Sequence, residues 1–134
     1  MHAPIFGRCA CGAIRYSYEG EPALSLNCHC RDCQRETGSA FAPILIVPRA
    51  NFRLIQGKPK HFDLTADSGR TTTRNFCADC GSPLFGSGLD FVNIRVGSLD
   101  DPSSFNPAQD IYTSSAQPWD YMNPALPKSP KLPQ

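Results

Sequence analysis

The chain has 134 residues and a mass of 14.7 kDa, which suits a single domain spanning residues 1–134. Its 13 Lys and Arg residues nearly balance its 12 Asp and Glu residues, giving a formal net charge of +1. That balance argues against a basic protein that wraps nucleic acid, so we expect no nucleic-acid partner. No stretch approaches the roughly 20 apolar residues of a membrane span, and the N-terminal residues lack the apolar core of a signal peptide. We therefore expect a cytoplasmic protein without a membrane partner.

Thirteen prolines and ten glycines interrupt the chain every few residues, which favours short strands over long helices. One early helical turn is predicted over residues 31–37, ending at Gly38. The last eleven residues, 124–134, contain four prolines and predict a loosely packed tail. Together these patterns predict a mostly β domain of short antiparallel strands. In chain order, the runs that favour strands are residues 13–18, 41–47, 52–55, 61–64, 71–76 and 91–96.

Seven cysteines are the most informative residues of the chain, and all of them belong to three tight groups. The gaps of one or two residues within a group would strain a disulfide. An odd number of cysteines also does not suit a disulfide framework. Metal binding in a reducing compartment is therefore the favoured interpretation. The groups are Cys9 with Cys11, Cys28 with Cys30 and Cys33, and Cys77 with Cys80.

The seven cysteines divide naturally into four and three. A structural zinc is closed by four protein ligands, whereas a catalytic zinc has three and keeps one position open. Both outer pairs precede a glycine, Gly12 or Gly81, which lets backbone amides turn towards the sulfurs. The spacing thus predicts two zinc ions per chain: a structural ion held by the outer pairs and a second ion held by the triplet. Alternatively, the outer cysteines are small buried residues or free thiols.

The triplet site is expected to leave its fourth position open, although His29, His2 and His61 remain candidate ligands. Three thiolates neutralise more than the zinc charge, so such an ion activates water poorly but suits the binding of a thiol as its reactive thiolate. Arg31 and Arg35 flank the triplet. They could bind a substrate carboxylate or offset the charge of the site, or they could be ordinary surface arginines.

Several motifs together resemble a known family. They are Gly-Arg-Cys-Ala-Cys-Gly at residues 7–12, Cys-His-Cys-Arg-Asp-Cys-Gln-Arg at 28–35, Arg-Asn-Phe-Cys-Ala-Asp-Cys-Gly-Ser at 74–82 and Val-Gly-Ser-Leu-Asp at 96–100. Over about residues 7–127 the chain resembles the glutathione-dependent formaldehyde-activating enzyme family, which also includes centromere protein V.

The resemblance implies a β-tent arrangement of antiparallel sheets stapled by zinc. It implies that Cys9, Cys11, Cys77 and Cys80 hold the structural zinc and that Cys28, Cys30 and Cys33 hold the zinc associated with catalysis. It also implies a carbon–sulfur lyase that joins glutathione and formaldehyde into S-hydroxymethylglutathione, so the partners would be a glutathione-like thiol and an aldehyde. One departure is Gln34-Arg35, where the family often has two basic residues.

Family membership does not by itself fix a substrate. One alternative is a non-catalytic zinc-binding interaction module that keeps the scaffold. Another is a metal or redox sensor that uses the thiolates of the triplet.

Overall fold

The computed structural model describes residues 3–66 and 68–133, which form two β-sheets and one α-helix. The smaller sheet is antiparallel, with the strand order β1-β2-β5. The alternating Arg-Tyr-Ser-Tyr of the central strand buries both tyrosines on one face. The strands of this sheet are β1 (Ile5–Arg8), β2 (Arg15–Tyr18) and β5 (Phe52–Gln56).

The larger sheet has seven strands in the order β10-β3-β4-β9-β8-β7-β6. All neighbouring strands are antiparallel except β10 and β3, which pair in parallel. The sheet is therefore mixed, whereas the sequence predicted only antiparallel pairing. Its strands are β3 (Leu24–Cys28), β4 (Ala42–Pro48), β6 (Lys60–Thr65), β7 (Thr71–Phe76), β8 (Pro83–Ser87), β9 (Phe91–Arg95) and β10 (Gln109–Ile111).

The helix α1 (Arg31–Thr37) begins directly after β3 and has the predicted bounds. Short 3-10 turns occupy Arg49–Asn51, Val96–Ser98 and Thr113–Ser115. Within the described part of the chain, no helix has the length and apolar character needed to cross a membrane. With 40% strand and 12% helix, the structure confirms the predicted mostly β domain in a β-tent arrangement.

Two hydrophobic cores hold these elements together. The first joins the two sheets, because Tyr16 and Tyr18 of β2 pack in one cluster with Val47, Leu84 and other residues of the larger sheet. The second core packs α1 against β3, β4 and β10. Its buried members are Leu26, Cys28, Cys33, Ala42, Ile44, Ile111 and Tyr112. Each core thus contains cysteines, Cys9 and Cys77 in the first and Cys28 and Cys33 in the second.

The proline-rich tail is hydrogen-bonded to the sheet, so the prediction of loose packing is wrong. Asp110 N donates to Pro127 O at 3.0 Å, and Ser129 N donates to Asp110 O at 2.9 Å. Tyr112 N donates to Lys131 O at 2.9 Å. Proline removes donors but leaves carbonyl acceptors, so an extended proline-rich segment can still lie along a strand that supplies the N–H groups.

Candidate metal centres

Four cysteines from two distant turns meet at one point. Cys9 and Cys11 follow β1 in the smaller sheet, whereas Cys77 and Cys80 lie between β7 and β8 of the larger sheet. One ligand atom from each of the four lies within 4.8 Å of the others. The four-cysteine cluster therefore bridges the two sheets.

Each turn has the knuckle shape that the cysteine–glycine pairs predict. Gly12 N donates to Cys9 O at 3.1 Å, and Gly81 N donates to Cys77 O at 2.8 Å. The φ angles of Gly12 and Gly81 are +79° and +76°, in the left-handed region that favours glycine. The two turns thus repeat one local geometry on opposite sides of the cluster.

The sulfur separations fit a tetrahedral metal. Cys9 Sγ lies 3.6 Å from Cys11 Sγ, and Cys11 Sγ lies 3.7 Å from Cys77 Sγ. Four sulfurs at the zinc–thiolate distance of about 2.3 Å define a tetrahedron with edges of about 3.8 Å. A disulfide would require about 2.05 Å, and all seven cysteines are free of disulfide bonds. The four-cysteine cluster therefore has the donor set and spacing of a closed metal site.

Hydrogen bonds to sulfur prepare this cluster for a cation. The Ser82 hydroxyl, together with the amides of Cys11 and Ser82, lowers the pKa of Cys80 to about 5. The amide of Ala13 lowers the pKa of Cys11, but the neighbouring sulfurs, with Cys9 first, outweigh it and raise that pKa to about 12. Negative charge on one sulfur thus opposes charge on the next, and a bound cation relieves that conflict.

The triplet forms a second cluster at the junction of β3 and α1. Cys28 ends β3, Cys30 is the N-cap of α1, and Cys33 lies in its first turn. The three sulfurs lie within 4.8 Å of one another. Cys30 Sγ accepts a hydrogen bond from Cys33 N at 3.2 Å, so the helix cap itself aims this sulfur inward. Cys28 and Cys33 are buried and Cys30 is half-buried, which leaves the site accessible from the side of Cys30.

The three sulfurs of the triplet differ strongly in pKa. Hydrogen bonds from the Cys28 and Cys33 thiols lower the pKa of Cys30 to about 2. Contacts with Cys30 first, and then with Cys33, raise the pKa of Cys28 far above its ordinary value. A soft divalent cation would allow all three sulfurs to be thiolates, so the donor set fits a metal of the zinc type.

His29 is not available as a ligand of the triplet. Its side chain is 1% exposed, and both ring nitrogens are occupied: Nδ1 lies 2.5 Å from Asp120 Oδ2 and Nε2 lies 2.8 Å from Asp110 Oδ1. His61 is an exposed residue of the edge strand β6, with 66% of its side chain accessible. His2 lies outside the described residues. His29 instead forms hydrogen bonds with two buried carboxylates.

Lys128 extends the His29 network into the tail. Its Nζ donates to Asp110 Oδ2 at 2.9 Å and to Asn123 O at 2.8 Å. Burial alone would raise the pKa of Asp110, but the hydrogen bonds from His29 and Lys128 lower it below its ordinary value. We call this group the carboxylate clamp; its residues are His29, Asp110, Asp120 and Lys128.

An arginine pair, Arg74 and Arg95, lies beside the triplet. Arg74 Nη2 points at Cys33 Sγ from 3.9 Å, while its Nη1 lies 2.9 Å from Glu36 Oε1 as an ion pair without hydrogen-bond alignment. Arg95 Nε donates to the same Glu36 oxygen at 2.6 Å. Burial lowers the pKa of Arg74, but Glu36 first and then Cys33 raise it further, so the guanidinium stays charged. Sequence reasoning missed this group, although Arg74 is the first residue of the motif at 74–82.

Arg31 and Arg35, the predicted substrate-binding residues, are exposed on α1. Arg31 Nη1 donates to Gln34 Oε1 at 2.5 Å. Gln34 is buried, and its Nε2 donates to His29 O at 2.8 Å and Ser115 O at 3.1 Å. Gln34, the departure from the two basic residues often found here, therefore fixes the turn that carries the triplet and does not face a ligand.

Phe41 lines two cavities. One of about 300 Å³ is lined by residues that include Asn27, His29 and Asp110. The other, of about 320 Å³, is lined by residues that include Thr37 and Arg95. The Phe41 ring lies 5.3 Å from the His29 ring, next to the turn that carries the triplet. Both cavities reach the size of small-ligand sites.

Comparisons with known proteins point to one family. A family model described as glutathione-dependent formaldehyde-activating enzyme matches residues 4–115. Proteins of Aspergillus terreus and Penicillium rubens, provisionally named glutathione-dependent formaldehyde-activating enzymes, are 26% and 29% identical over 100 and 96 residues. These matches cover 69% and 66% of this chain but 51% and 49% of the relatives, so the chain spans about half the length of the curated relatives it matches.

A solved structure supports the fold independently. The crystal structure of a Rhodobacter sphaeroides protein matches with a TM-score of 0.58 at 20% identity, covering 76% of this chain and 91% of that one. The likeness concerns the fold alone. Because the family model covers most of the chain and the cysteine motifs lie within the matched region, the chain belongs to the glutathione-dependent formaldehyde-activating enzyme family.

Proposed function

We propose that this chain is a zinc-dependent enzyme that forms or cleaves a thiol–aldehyde adduct, with S-hydroxymethylglutathione, made from glutathione and formaldehyde, as its product. The reaction type is that of a carbon–sulfur lyase. The observation that carries the proposal is the triplet of converging sulfurs, accessible from the side of Cys30, in a member of this family. The chain binds two zinc ions in this proposal.

The two clusters have different tasks. Cys9, Cys11, Cys77 and Cys80 hold a structural zinc, because four sulfurs close the coordination sphere. Cys28, Cys30 and Cys33 hold the second zinc and leave one position for the substrate. A zinc ion bound there supplies a soft centre that keeps an incoming thiol as its thiolate.

The remaining chemistry is the addition of a thiolate to a carbonyl carbon. A carbon–sulfur bond forms, the carbonyl electron pair moves to oxygen, and that oxygen takes up a proton; the reverse step releases thiol and aldehyde. Arg31 and Arg35, exposed on α1 beside the triplet, bind the carboxylates of the thiol peptide in this proposal. Reduced glutathione and seven free thiols both require a reducing compartment, which supports the cytoplasm.

Exchange spectroscopy tests the proposed function directly. Glutathione, formaldehyde and their adduct are mixed at equilibrium, and the exchange rate is measured by NMR with and without protein. We expect faster exchange with the wild type and only the spontaneous rate with Cys30→Ser. Arg31→Gln with Arg35→Gln should weaken the response to glutathione more than the response to 2-mercaptoethanol, which has no carboxylate.

An exchange rate no faster than the spontaneous one would contradict this substrate assignment. If such an inactive protein were folded and held two zinc ions, the non-catalytic zinc-binding module would be the better description.

A further inference from the structure

Arg74 is a charged group that the fold brings into contact with the triplet from outside the triplet turn. It lies on β7, between its neighbours β6 and β8, and its Nη2 lies 3.9 Å from Cys33 Sγ. Its side chain is 14% exposed, so bulk water screens its charge weakly. The guanidinium therefore acts on the triplet at short range.

Glu36 and Arg95 set the net charge of this group. Both arginines contact Glu36 Oε1, and the side chains of Arg95 and Glu36 are 7% and 15% exposed. Two arginines and one glutamate leave one net positive charge beside Cys33. Since Glu36 cannot neutralise both arginines, the excess charge faces the sulfurs.

The excess positive charge has its largest effect on the binding of a fourth, anionic ligand at the open position of the triplet site. A divalent ion with three thiolates carries one net negative charge, and a fourth thiolate increases it to two. That second negative charge is unfavourable in a partly buried site unless a cation lies nearby. A neutral ligand adds no charge and gains little from the same cation.

We infer that Arg74 is a specificity-determining residue that makes the triplet site prefer an anionic thiolate to a neutral ligand at its open position. This inference rests on the metal site of the proposed function, but it concerns binding and needs no aldehyde chemistry. Glu36 limits the preference by neutralising part of the arginine charge.

Ligand binding to the cobalt-loaded protein tests the inference. Co²⁺ occupies tetrahedral thiolate sites and has visible absorption that changes with a fourth ligand. The probes are 2-mercaptoethanol, which binds as a thiolate and has no carboxylate, and imidazole, which binds as a neutral ligand. Cys30→Ser identifies the bands that belong to the triplet, and metal content and circular dichroism establish that each variant is loaded and folded.

Two substitutions should shift thiol affinity in opposite directions. Arg74→Gln should raise the Kd for 2-mercaptoethanol by about 10- to 100-fold, since it removes a unit positive charge that offsets the added thiolate charge at short range. Glu36→Gln keeps an acceptor oxygen for the arginines and removes the negative charge, so that Kd should fall severalfold. The Kd for imidazole should stay within about twofold in both, and Arg74→Lys should recover part of the lost thiol affinity.

Arg53→Gln is the matched control, because it removes an exposed arginine of β5 in the smaller sheet, outside the triplet and its arginine pair, and should leave both Kd values unchanged. The inference is overturned if Arg74→Gln weakens thiol and imidazole equally, or if thiol affinity is insensitive to Arg74. Should Arg74→Gln fail to fold, the absence of tighter thiol binding in Glu36→Gln would overturn it instead. If cobalt occupies the triplet but no thiol binds even to the wild type, the proposed function fails together with this inference.

Discussion

At the scale of single residues, Tyr16 shows how a polar atom is buried without loss of stability. The residue is fully buried, and its ring stacks on Phe52 with centroids 5.3 Å apart. Its hydroxyl lies 2.6 Å from Ser98 Oγ. Because the Ser98 hydroxyl donates to Arg95 O at 2.7 Å, the Tyr16 hydroxyl is the donor in the pair. Deprotonation of Tyr16 would place a negative charge inside the core.

Tyr16 should therefore make the protein sensitive to alkali. Burial raises the pKa of Tyr16 from 10.0 to about 12. The neutral phenol stabilises the folded state fully below pH 10, and this contribution is lost as the pH rises towards 12. Two pKa units correspond to about 2.7 kcal/mol. Denaturant unfolding between pH 8 and pH 12 should show that the wild type loses this stability and that Tyr16→Phe does not.

At pH 8 the free energy of unfolding of Tyr16→Phe should be about 1 kcal/mol below that of the wild type, which is the net value of one hydrogen bond. The free-energy curves of wild type and variant should then cross as the pH rises. Tyr121→Phe removes an 85% exposed hydroxyl and should follow the wild-type curve. Parallel curves for wild type and Tyr16→Phe would contradict the prediction.

At the scale of elements, the carboxylate clamp explains why the tail is ordered. His29 follows β3, Asp110 belongs to β10, Asp120 lies in the segment after β10, and Lys128 lies in the tail. Two carboxylates therefore hold the buried histidine, and Lys128 joins the tail to one of them. The parallel pair β10-β3 has only three residues in β10, and the clamp supplies contacts that so short a strand lacks.

Removing the central carboxylate should release these elements. Asp110→Asn deletes the negative charge between His29 and Lys128, and breaking a buried ion pair costs about 3–5 kcal/mol. We expect a fall of about 3 kcal/mol in the free energy of unfolding, measured with urea at pH 7. Asp63→Asn is the control, because its contact with His61 is 3.8 Å long and its side chain is 58% exposed. It should cost less than about 0.5 kcal/mol, and equal losses in the two variants would contradict the prediction.

The elements also show what the sequence could predict. Residue patterns and turn residues predicted α1 and β7 with their observed bounds. Gly38 marks the end of α1, and the turn that starts at Cys77 marks the end of β7. The patterns missed β1, β3, β8 and β10. Two reasons are physical: β8 contains Pro83 and Gly86, which strands disfavour, and β10 is three residues long and depends on its neighbours.

The candidate site likewise has parts that the sequence predicts and parts that it misses. The spacing within each cysteine group is local, and the four-ligand requirement of a closed zinc site pairs the two outer groups, so both clusters could be predicted from the sequence. The clamp and the arginine pair join residues between 18 and 91 positions apart, such as Lys128 with Asp110 and His29 with Asp120. Nothing in a single sequence pairs such residues, because the pairing depends on strand order in the completed sheet.

At the scale of the whole molecule, the four-cysteine cluster joins the two sheets and the triplet does not. The first links the turn after β1 to the turn after β7, and Cys9 and Cys77 lie in the core shared by both sheets. The triplet lies at one junction, between β3 and α1. Loss of the two clusters should therefore have unequal consequences for folding.

Cys77→Ser and Cys30→Ser test this difference. Structural zinc supplies on the order of 10 kcal/mol of binding free energy to folding, comparable with the 5–15 kcal/mol stability of a whole domain. We expect Cys77→Ser to be insoluble or rapidly cleaved by protease. Cys30→Ser should stay folded and protease-resistant while its zinc content, measured by elemental analysis, falls from about two ions per chain to one. A folded, soluble Cys77→Ser protein with one zinc lost would contradict the structural role, and one zinc per chain in both wild type and Cys30→Ser would show that the triplet is no metal site.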